Sequence, residues 1–321
     1  MCRISDTLRQ HIPDSLPPRH PALPALTLMG GDARQLAMAA YFSQAGYSVQ
    51  IIGLGDTPPT GVRVCHDMTR ALEECDLLIL PLPVTRDGIH VFTALDSHTD
   101  ISLEALSQSL SHRPHVRVFG GRIPSDWSSS LRAYGCSVTD FYEREDVQIK
   151  NAHITAEGAI MTAMELTDTT VLGSSVAVIG YGRIGQYLSR MLVALGASVT
   201  VYARRSAALA QAVSDGCSTR YTTQLSTLTG GYDVIFNTVP ARLIGKDILS
   251  IMPCQTLLID LASAPFGIDP EAAGEATARC GLGVIFSPSI PGRYAPKSAG
   301  KVIAEGILSA LKESQEGGES P

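Results

Sequence analysis

Long apolar runs, paired cysteines and excess positive charge are all missing from this sequence of 321 residues. No apolar stretch approaches the roughly 20 residues that a transmembrane helix needs, and the N-terminus has no basic region followed by an apolar core. The seven cysteines are scattered without a C-x-x-C pair, which argues against a disulfide framework or a thiolate zinc site. A net charge of −6 provides no basic field for nucleic acid or an anionic membrane. We therefore expect a cytoplasmic protein that binds neither nucleic acid nor membrane.

Several catalytic motifs are missing too. The sequence contains no G-x-S-x-G, H-E-x-x-H, Walker A or calcium-loop pattern. No histidine follows His153, and the histidines are not grouped with Cys or Asp at the spacing of metal ligands. These absences predict that the chain holds no metal ion.

What the sequence does have is a repeated alternation of short apolar strands with helical segments. This alternation is typical of parallel sheets covered by helices on both faces, and the length suits two domains of about 150 residues. It predicts an α/β fold of two Rossmann-like domains, each an open parallel sheet, with a cleft between them. The first half should hold strands at 26–29, 47–52, 77–82, 116–119 and 136–139. A six-strand pattern in the second half includes segments at 176–179, 198–202, 232–240, 256–261 and 283–286.

The predicted domain boundaries follow breaks in this pattern. Prolines are frequent near the N-terminus, and the charged segment Glu143–Asp146 is predicted to be a solvated link before a helix that begins at Thr155. The resulting division is a flexible arm (1–25), a first α/β domain (26–150), a second α/β domain (151–297), a last helix (about 298–312) and a disordered polar tail (313–321). Whether the last helix packs back on the first domain is left open.

A glycine-rich turn organises the second half. The buried strand Val176–Ile179 is followed by Gly180, Gly182 and Gly185 at G-x-G-x-x-G spacing, and then by a helix. The first glycine permits a tight turn, the second lets the backbone approach a pyrophosphate, and the third lets helix and strand pack closely. The predicted cofactor-binding residues are these glycines with Tyr181, Arg183 and Ile184, the strand-end residues Thr238, Val239, Pro240, Leu261, Ala262 and Ser263, and Ala203, Arg204 and Arg205.

Ala203, Arg204 and Arg205 end the next strand, where a dehydrogenase selects its cofactor. NAD-binding sites place Asp or Glu there to bind the ribose 2′-hydroxyl, whereas this chain has two arginines and no carboxylate. Because guanidinium groups bind a 2′-phosphate through charge-assisted hydrogen bonds, we predict NADP(H) as cofactor, with NAD(H) as the second choice. Residues 151–297 are then the predicted NADP-binding domain, and residues 26–150 the predicted substrate domain. The alternative is that both arginines are merely solvated.

Two loops offer groups that could bind a substrate carboxylate. Gly30–Arg34 combines a helix N-terminus with the guanidinium of Arg34, although Asp32 could simply cap the helix and Arg34 be solvated. Pro291–Gly300 supplies two further cations, Arg293 and Lys297, which could bind either a substrate carboxylate or a cofactor phosphate.

The domain junction offers three more candidates. Thr155 is a candidate substrate-binding residue, and Glu157 and His153 are candidate proton acceptors. The alternative is structural, with Thr155 as a helix cap, Glu157 as a favourable first-turn acid and His153 as a structural histidine.

Six segments together resemble the family formed by the A subunit of dipicolinate synthase, from endospore-forming bacteria. They are Gly30–Gln35, Ile79–Pro81, Thr155–Gly158, Val178–Gly185, Leu258–Ser263 and Pro291–Gly300. Many dehydrogenases share the glycine turn, but Gly-Gly-Asp-Ala-Arg and Pro-Gly-x-x-Ala-Pro-Lys are far more particular. The resemblance extends from about Leu26 to Leu311 and leaves the proline-rich start outside it.

The resemblance implies a Rossmann-type dehydrogenase that oxidises dihydrodipicolinate or 4-hydroxytetrahydrodipicolinate to dipicolinate. It further implies a flavoprotein-like partner, the B subunit of the synthase, and a role in the mother cell during sporulation. The sequence does not fix whether the chain forms a homo-oligomer. Two alternatives remain, namely another two-domain dehydrogenase of the D-2-hydroxy-acid type and a nucleotide-sensing subunit without catalysis of its own.

Overall fold

The computed structural model describes residues 23–96 and 99–316, which form two sheets of six parallel strands each. The predicted fold class, two open Rossmann-like domains, is confirmed. Most of the predicted N-terminal arm, residues 1–22, lies outside the described residues. Within the described part, no helix is both long and apolar enough to cross a membrane.

The first domain is built on a sheet with the strand order β3-β2-β1-β4-β5-β6. Its elements are β1 (Leu26–Met29), α1 (Ala33–Gln44), β2 (Val49–Ile52), β3 (Val62–Val64), α2 (Met68–Glu73), β4 (Leu77–Ile79), α3 (Leu103–Ser111), β5 (Arg117–Gly120), α4 (Ser125–Ala133) and β6 (Val138–Asp140). Every residue of β1, β2 and β4 is buried, because helices cover both faces of the sheet.

The second domain repeats the same strand order, counted from its own first strand: β12-β11-β10-β7-β8-β9. Its elements are β7 (Ser175–Ile179), α6 (Arg183–Ala194), β8 (Ser198–Ala203), α7 (Ser206–Ser214), β9 (Ser218–Tyr221), β10 (Val234–Asn237), α8 (Lys246–Leu249), β11 (Leu257–Asp260), α9 (Pro270–Cys280) and β12 (Gly283–Phe286). In both sheets the strand order reverses beside the first strand, and ligands of such sheets bind at the carboxyl edge near that reversal.

A long helix, α5 (Glu145–Leu166), joins the two domains. It begins ten residues before the predicted start at Thr155, because Glu145 and Asp146 form its acidic first turn, where the helix dipole favours negative charge. The predicted solvated link is therefore partly helical, and the predicted boundary after residue 150 falls inside α5. The second half of α5 contributes Ala156 and Ile160 to the core of the second domain.

The last two elements of the described residues are a short helix, α10 (Ile290–Tyr294), and a long one, α11 (Pro296–Glu316). The helix α11 returns to the first domain, where Ile303, Ala304 and Ile307 are buried in the core beside α1. Residues 313–316, predicted to be a disordered tail, instead complete this helix. Glu313 accepts hydrogen bonds from the Arg144 guanidinium at 2.8 and 3.0 Å, which helps to hold that last turn. Residues 317–321 lie outside the described residues.

Candidate active site

The three glycines of the turn after β7 have three different surroundings. Gly180 has φ +95, a left-handed conformation that side chains disfavour, and a Cβ there would overlap the Thr238 side chain. A Cβ on Gly185 would overlap the carbonyl oxygen of Gly180, so helix and turn can pack this closely only with glycine. A Cβ on Gly182 would meet no protein atom within 4 Å. The space above Gly182 is therefore open to a ligand.

The N-terminus of α6 lies in that open space. Gly182 is its N-cap residue, with extended backbone (φ −86, ψ −163), and no side chain caps the helix. The first N–H groups of an uncapped helix lack intrahelical partners and carry the positive end of the helix dipole. This geometry fits a pyrophosphate, as the glycine spacing predicted.

A groove of about 600 Å³ leads from this turn to the end of β8. Arg204 and Arg205 line the groove and are exposed. Within residues 23–96 and 99–316, neither guanidinium makes an ion pair or a hydrogen bond. Both are therefore free to bind a phosphate, and no carboxylate of the strand end opposes them. Ala203 is buried beside them and also lines the groove.

The loops that border the groove after β10 and β11 are held by a buried amide–carboxylate pair. Asn237 Nδ2 donates to Asp260 Oδ1 at 2.8 Å and to the carbonyl oxygen of Val239 at 3.0 Å. Asp260 also accepts from three backbone N–H groups of its own loop, including that of Ala262 at 3.0 Å. All hydrogen bonds of Asp260 thus stay inside the fold, and they fix the loops that follow β10 and β11. The predicted residues Thr238, Val239, Pro240, Leu261, Ala262 and Ser263 lie on these loops and line the groove or the pocket beside it.

The remaining predicted turn residues have distinct roles. Ile184 and Tyr181 both line the groove. Tyr181 is nevertheless largely buried and its hydroxyl donates to Asp215; burial and this carboxylate raise the pKa of Tyr181. Arg183 lines the groove but is paired with Glu145, through Nε at 3.1 Å and Nη2 at 2.6 Å. That pair raises the pKa of Arg183 and lowers the pKa of Glu145.

An inner pocket of about 200 Å³ continues the groove into the cleft between the domains. The first domain contributes Arg34, Leu82, Pro83, Arg122 and Tyr142, and α5 contributes Asn151 and Thr155. The second domain and α10 contribute Ile184, Thr238, Pro240, Leu261, Ala262, Ser263, Ser287, Ser289, Ile290 and Pro291. The lining combines hydroxyls, one amide and two guanidinium groups, and it contains neither imidazole nor carboxylate among the residues that the structure describes. Such a pocket suits an anionic substrate.

Asp32 and Arg34 meet as a bidentate ion pair at the start of α1. Arg34 donates from Nε and Nη2 to the two Asp32 oxygens at 2.9 and 2.8 Å, and from Nη2 to the carbonyl oxygen of Leu82 at 2.5 Å. Asp32 also caps α1 by accepting from the Arg34 N–H at 3.0 Å. The capping alternative for Asp32 therefore holds, but Arg34 is buried rather than solvated, and its charge is balanced before any substrate arrives.

The three candidates on α5 divide between two helix faces. Thr155 lines the inner pocket and donates to the carbonyl oxygen of Asn151 at 2.8 Å, so it lies mid-helix and is not a cap. His153 and Glu157 are half exposed and face each other at 3.5 Å, with His153 against the Tyr187 ring. Because two residues along a helix turn the side chain by about 200°, they point away from the face that carries Asn151 and Thr155. Their location does not fit the predicted role of proton acceptor, and Glu157 does not lie in a first turn.

The two predicted cations of the Pro291–Gly300 segment also lie outside the inner pocket. Arg293 is exposed and stacks at 5.4 Å over the ring of Tyr294. Lys297 borders a surface groove between α1 and α11. The same segment reaches the inner pocket through Ile290 and Pro291 instead.

The sequence analysis did not single out Arg122, Asn151 or Ser287, all of which line the inner pocket. Arg122 follows a glycine pair at the end of β5, and Ser287 directly follows β12. Strand ends at the carboxyl edge were the signal that could have identified both. Asn151 lies one turn before Thr155 on α5. Because the predicted helix began only at Thr155, the sequence did not place Asn151 on the same helix face.

Both domains of the chain match known protein families. Residues 25–142 match the family model of the N-terminal domain of the dipicolinate synthase A subunit. Residues 125–276 match that of the D-isomer specific 2-hydroxyacid dehydrogenase NAD-binding domain. Over 294 residues the chain is 33% identical to the A subunit of dipicolinate synthase of Bacillus subtilis (strain 168), covering 90% of this chain and 96% of that one.

Two solved structures extend the comparison. The crystal structure of the dipicolinate synthase A subunit from Bacillus halodurans is similar with a TM-score of 0.78 at 30% identity, over 90% of this chain and 98% of the other. The Bacillus subtilis structure gives a TM-score of 0.76 at 31% identity, over 91% and 97% of the two chains. With a dehydrogenase-type domain for a nicotinamide cofactor and relatives that match along nearly their whole length, this chain belongs to the family of the dipicolinate synthase A subunit.

Proposed function

We propose that this protein is an NAD(P)-dependent dehydrogenase that forms dipicolinate from a dihydro- or 4-hydroxytetrahydro-dipicolinate. The observation that carries the proposal is the continuity of an uncapped, glycine-lined dinucleotide groove with an inner pocket of guanidinium, amide and hydroxyl groups. A ring dicarboxylate seated in that pocket lies beside the cofactor groove, as oxidation by a nicotinamide requires. The names of the relatives support this substrate class.

The dinucleotide would be held by the N–H groups at the start of α6, by the loops after β10 and β11, and by Arg204 and Arg205. When bound, its oxidised nicotinamide supplies a hydride acceptor. Conversion of dihydrodipicolinate to dipicolinate releases one hydride and one proton, and the hydroxylated precursor must lose one water as well. The chain's own residues bind the carboxylates, orient the ring and shape the pocket.

Water is the proposed acceptor of the released proton. Since the described lining of the inner pocket has no carboxylate and no imidazole, no side chain there is an obvious base at neutral pH. Formation of an aromatic ring provides the driving force, so a strong base is not required. The same lining disfavours the D-2-hydroxy-acid alternative, which is expected to use a histidine in the cleft.

Two further parts of the proposal concern the cofactor and the partner. We propose NADP(H) as the preferred nucleotide, because Arg204 and Arg205 are exposed, unpaired in the described part of the chain, and placed on the groove. The relatives are named as one subunit of a synthase, which supports a partner subunit; we propose a flavoprotein-like B subunit for that role.

The decisive experiment follows nicotinamide absorbance in the purified chain with dihydrodipicolinate and NADP⁺ or NAD⁺, with and without the partner protein. We expect reduction that depends on substrate and is faster with NADP⁺. Arg204→Ala and Arg205→Ala should each weaken NADP(H) binding at least about tenfold and leave NAD(H) binding nearly unchanged. Arg70→Ala, an exposed arginine on α2, is the matched control. A chain that binds the nucleotide but never changes its absorbance, even with the partner protein, would overturn the catalytic proposal in favour of a sensing role.

A further inference from the structure

The inner pocket presents a single cation that has no carboxylate partner in the described part of the chain. Of its two guanidinium groups, that of Arg34 is occupied by Asp32. The other belongs to Arg122. Among the described residues, its side chain makes one hydrogen bond, in which Nη1 donates to the Ser263 hydroxyl at 3.1 Å. Of the arginines along the adjoining groove, Arg183 is paired with Glu145. Among the described residues of the inner pocket, Arg122 is thus the cation that is available to pair with an anionic ligand.

The Arg122 side chain bridges the cleft between the two domains. The residue follows β5 in the first domain, while its partner Ser263 lies on the loop after β11 in the second. Its guanidinium also lies 5.4 Å from the centre of the Tyr142 ring, whose face favours a cation. Arg122 lines both the groove and the inner pocket, so it stands where the two meet.

The backbone of Arg122 is strained. Its φ is +54, a left-handed conformation that non-glycine residues rarely adopt. Strain of this kind is concentrated at ligand-binding sites, where the surrounding structure maintains it.

The remaining polar groups of the pocket are neutral. Ser287 is 1% exposed, and its hydroxyl has no hydrogen-bond partner within residues 23–96 and 99–316. The Asn151 side chain, on α5, likewise makes no hydrogen bond there. A buried hydroxyl without a partner is unfavourable unless a ligand supplies one. These two groups can donate hydrogen bonds to an anion without contributing charge.

We propose that the two carboxylates of the substrate are recognised unequally: Arg122 binds one as an ion pair, and Asn151 and Ser287 donate neutral hydrogen bonds to the other. This assignment rests on the proposed function and specifies the residues that would select a ring dicarboxylate. The ion pair would also bring the Arg122 loop and the Ser263 loop onto the same ligand, because Arg122 already touches Ser263. Arg34 then has a structural role: it ties α1 directly to the carbonyl oxygen of Leu82, while Asp32 balances its charge.

The test measures binding of dipicolinate and of pyridine-2-carboxylate, which lacks one carboxylate, in the presence of NADPH. Arg122→Gln should weaken binding of both ligands at least about tenfold, and Arg122→Lys should recover only part of it, because a lysine cannot form the bidentate pair. Asn151→Ala and Ser287→Ala should weaken dipicolinate binding about three- to tenfold and leave pyridine-2-carboxylate binding within about twofold. Arg70→Gln is the control.

NADPH affinity and the unfolding midpoint of each variant report whether the fold and the groove are intact. If Arg122→Gln binds NADPH normally and dipicolinate within about twofold of wild type, the assignment of Arg122 is wrong. If Asn151→Ala and Ser287→Ala weaken both ligands equally, the unequal recognition is wrong. Wild-type protein that binds no dipicolinate and oxidises no dihydrodipicolinate would instead remove the proposed function, and this assignment with it.

Discussion

Replacing two glycines of the same turn should separate cofactor binding from stability. In Gly182→Ala the new Cβ meets no protein atom within 4 Å, and the extended backbone suits alanine. Stability should therefore change by no more than about 1 kcal/mol, because the gain from restricting the unfolded chain is opposed by the poorer fit of alanine at a helix N-cap. The methyl group would occupy the open space where a pyrophosphate approaches the N–H groups of α6. Losing one charge-assisted hydrogen bond costs about 1.5–3 kcal/mol, so we expect NADPH binding to weaken roughly 10- to 150-fold.

Gly185→Ala is the matched comparison. Its Cβ would overlap the Gly180 carbonyl oxygen, and backbone cannot move aside as a flexible side chain can. We expect about 1–3 kcal/mol of destabilisation, or several degrees in Tm for a domain of this size. Calorimetric titration with NADPH and thermal unfolding measure the two effects on each variant. Gly182→Ala protein that binds NADPH as tightly as wild type would refute the assignment of the groove.

Three further predictions concern residues away from the groove. His153→Ala and Glu157→Gln should each leave kcat/KM within about twofold, since both side chains face away from the inner pocket; a hundredfold loss in either would restore it as a catalytic group. Asp87 raises the pKa of His90 above its usual 6.5, so folding favours protonated His90: the stabilisation is complete below about pH 6.5 and is lost as pH rises through the raised pKa. The Tm difference between wild type and His90→Asn should thus be larger at pH 6 than at pH 9, and an NMR titration of His90 at or below 6.5 would contradict this. Burial raises the pKa of Cys75 to about 11, so alkylation at pH 8 followed by mass spectrometry should label exposed Cys254 well before Cys75; equal rates would contradict the burial.

The fold was largely predictable because most strands of a doubly covered parallel sheet are continuous apolar runs. The two strands that escaped prediction, β3 and β9, pair on one side only at the sheet edges. β9 has no buried residue, so its sequence carries no apolar signal. The start of α5 escaped for a related reason, since a charged first turn looks like a loop until its place at the helix N-terminus is known.

The dinucleotide groove was more predictable than the substrate pocket. The spacing of three glycines was enough to predict their roles, because a single local turn forms that part of the site: Gly180, Gly182 and Gly185. The inner pocket is assembled from segments far apart in the sequence. Which side chains line it depends on helix register, and which charges remain available depends on ion pairs between side chains. Because the predicted start of α5 was ten residues too late, Asn151 was not recognised as a residue of the helix face that lines the pocket. The neutralisation of Arg34 by Asp32 is a side-chain contact that composition and spacing do not reveal.

The return of α11 to the first domain has a consequence for biosynthesis. Ile303 and Ile307 belong to the same core as Leu26 and Leu28, so nearly the whole chain separates the first and last parts of that core. The last strand of the second domain ends at residue 286, so this domain can fold as soon as that strand has left the ribosome. The domain that is translated first is therefore the one completed last, and a nascent chain that stalls before its final helix leaves the apolar surface of α1 uncovered.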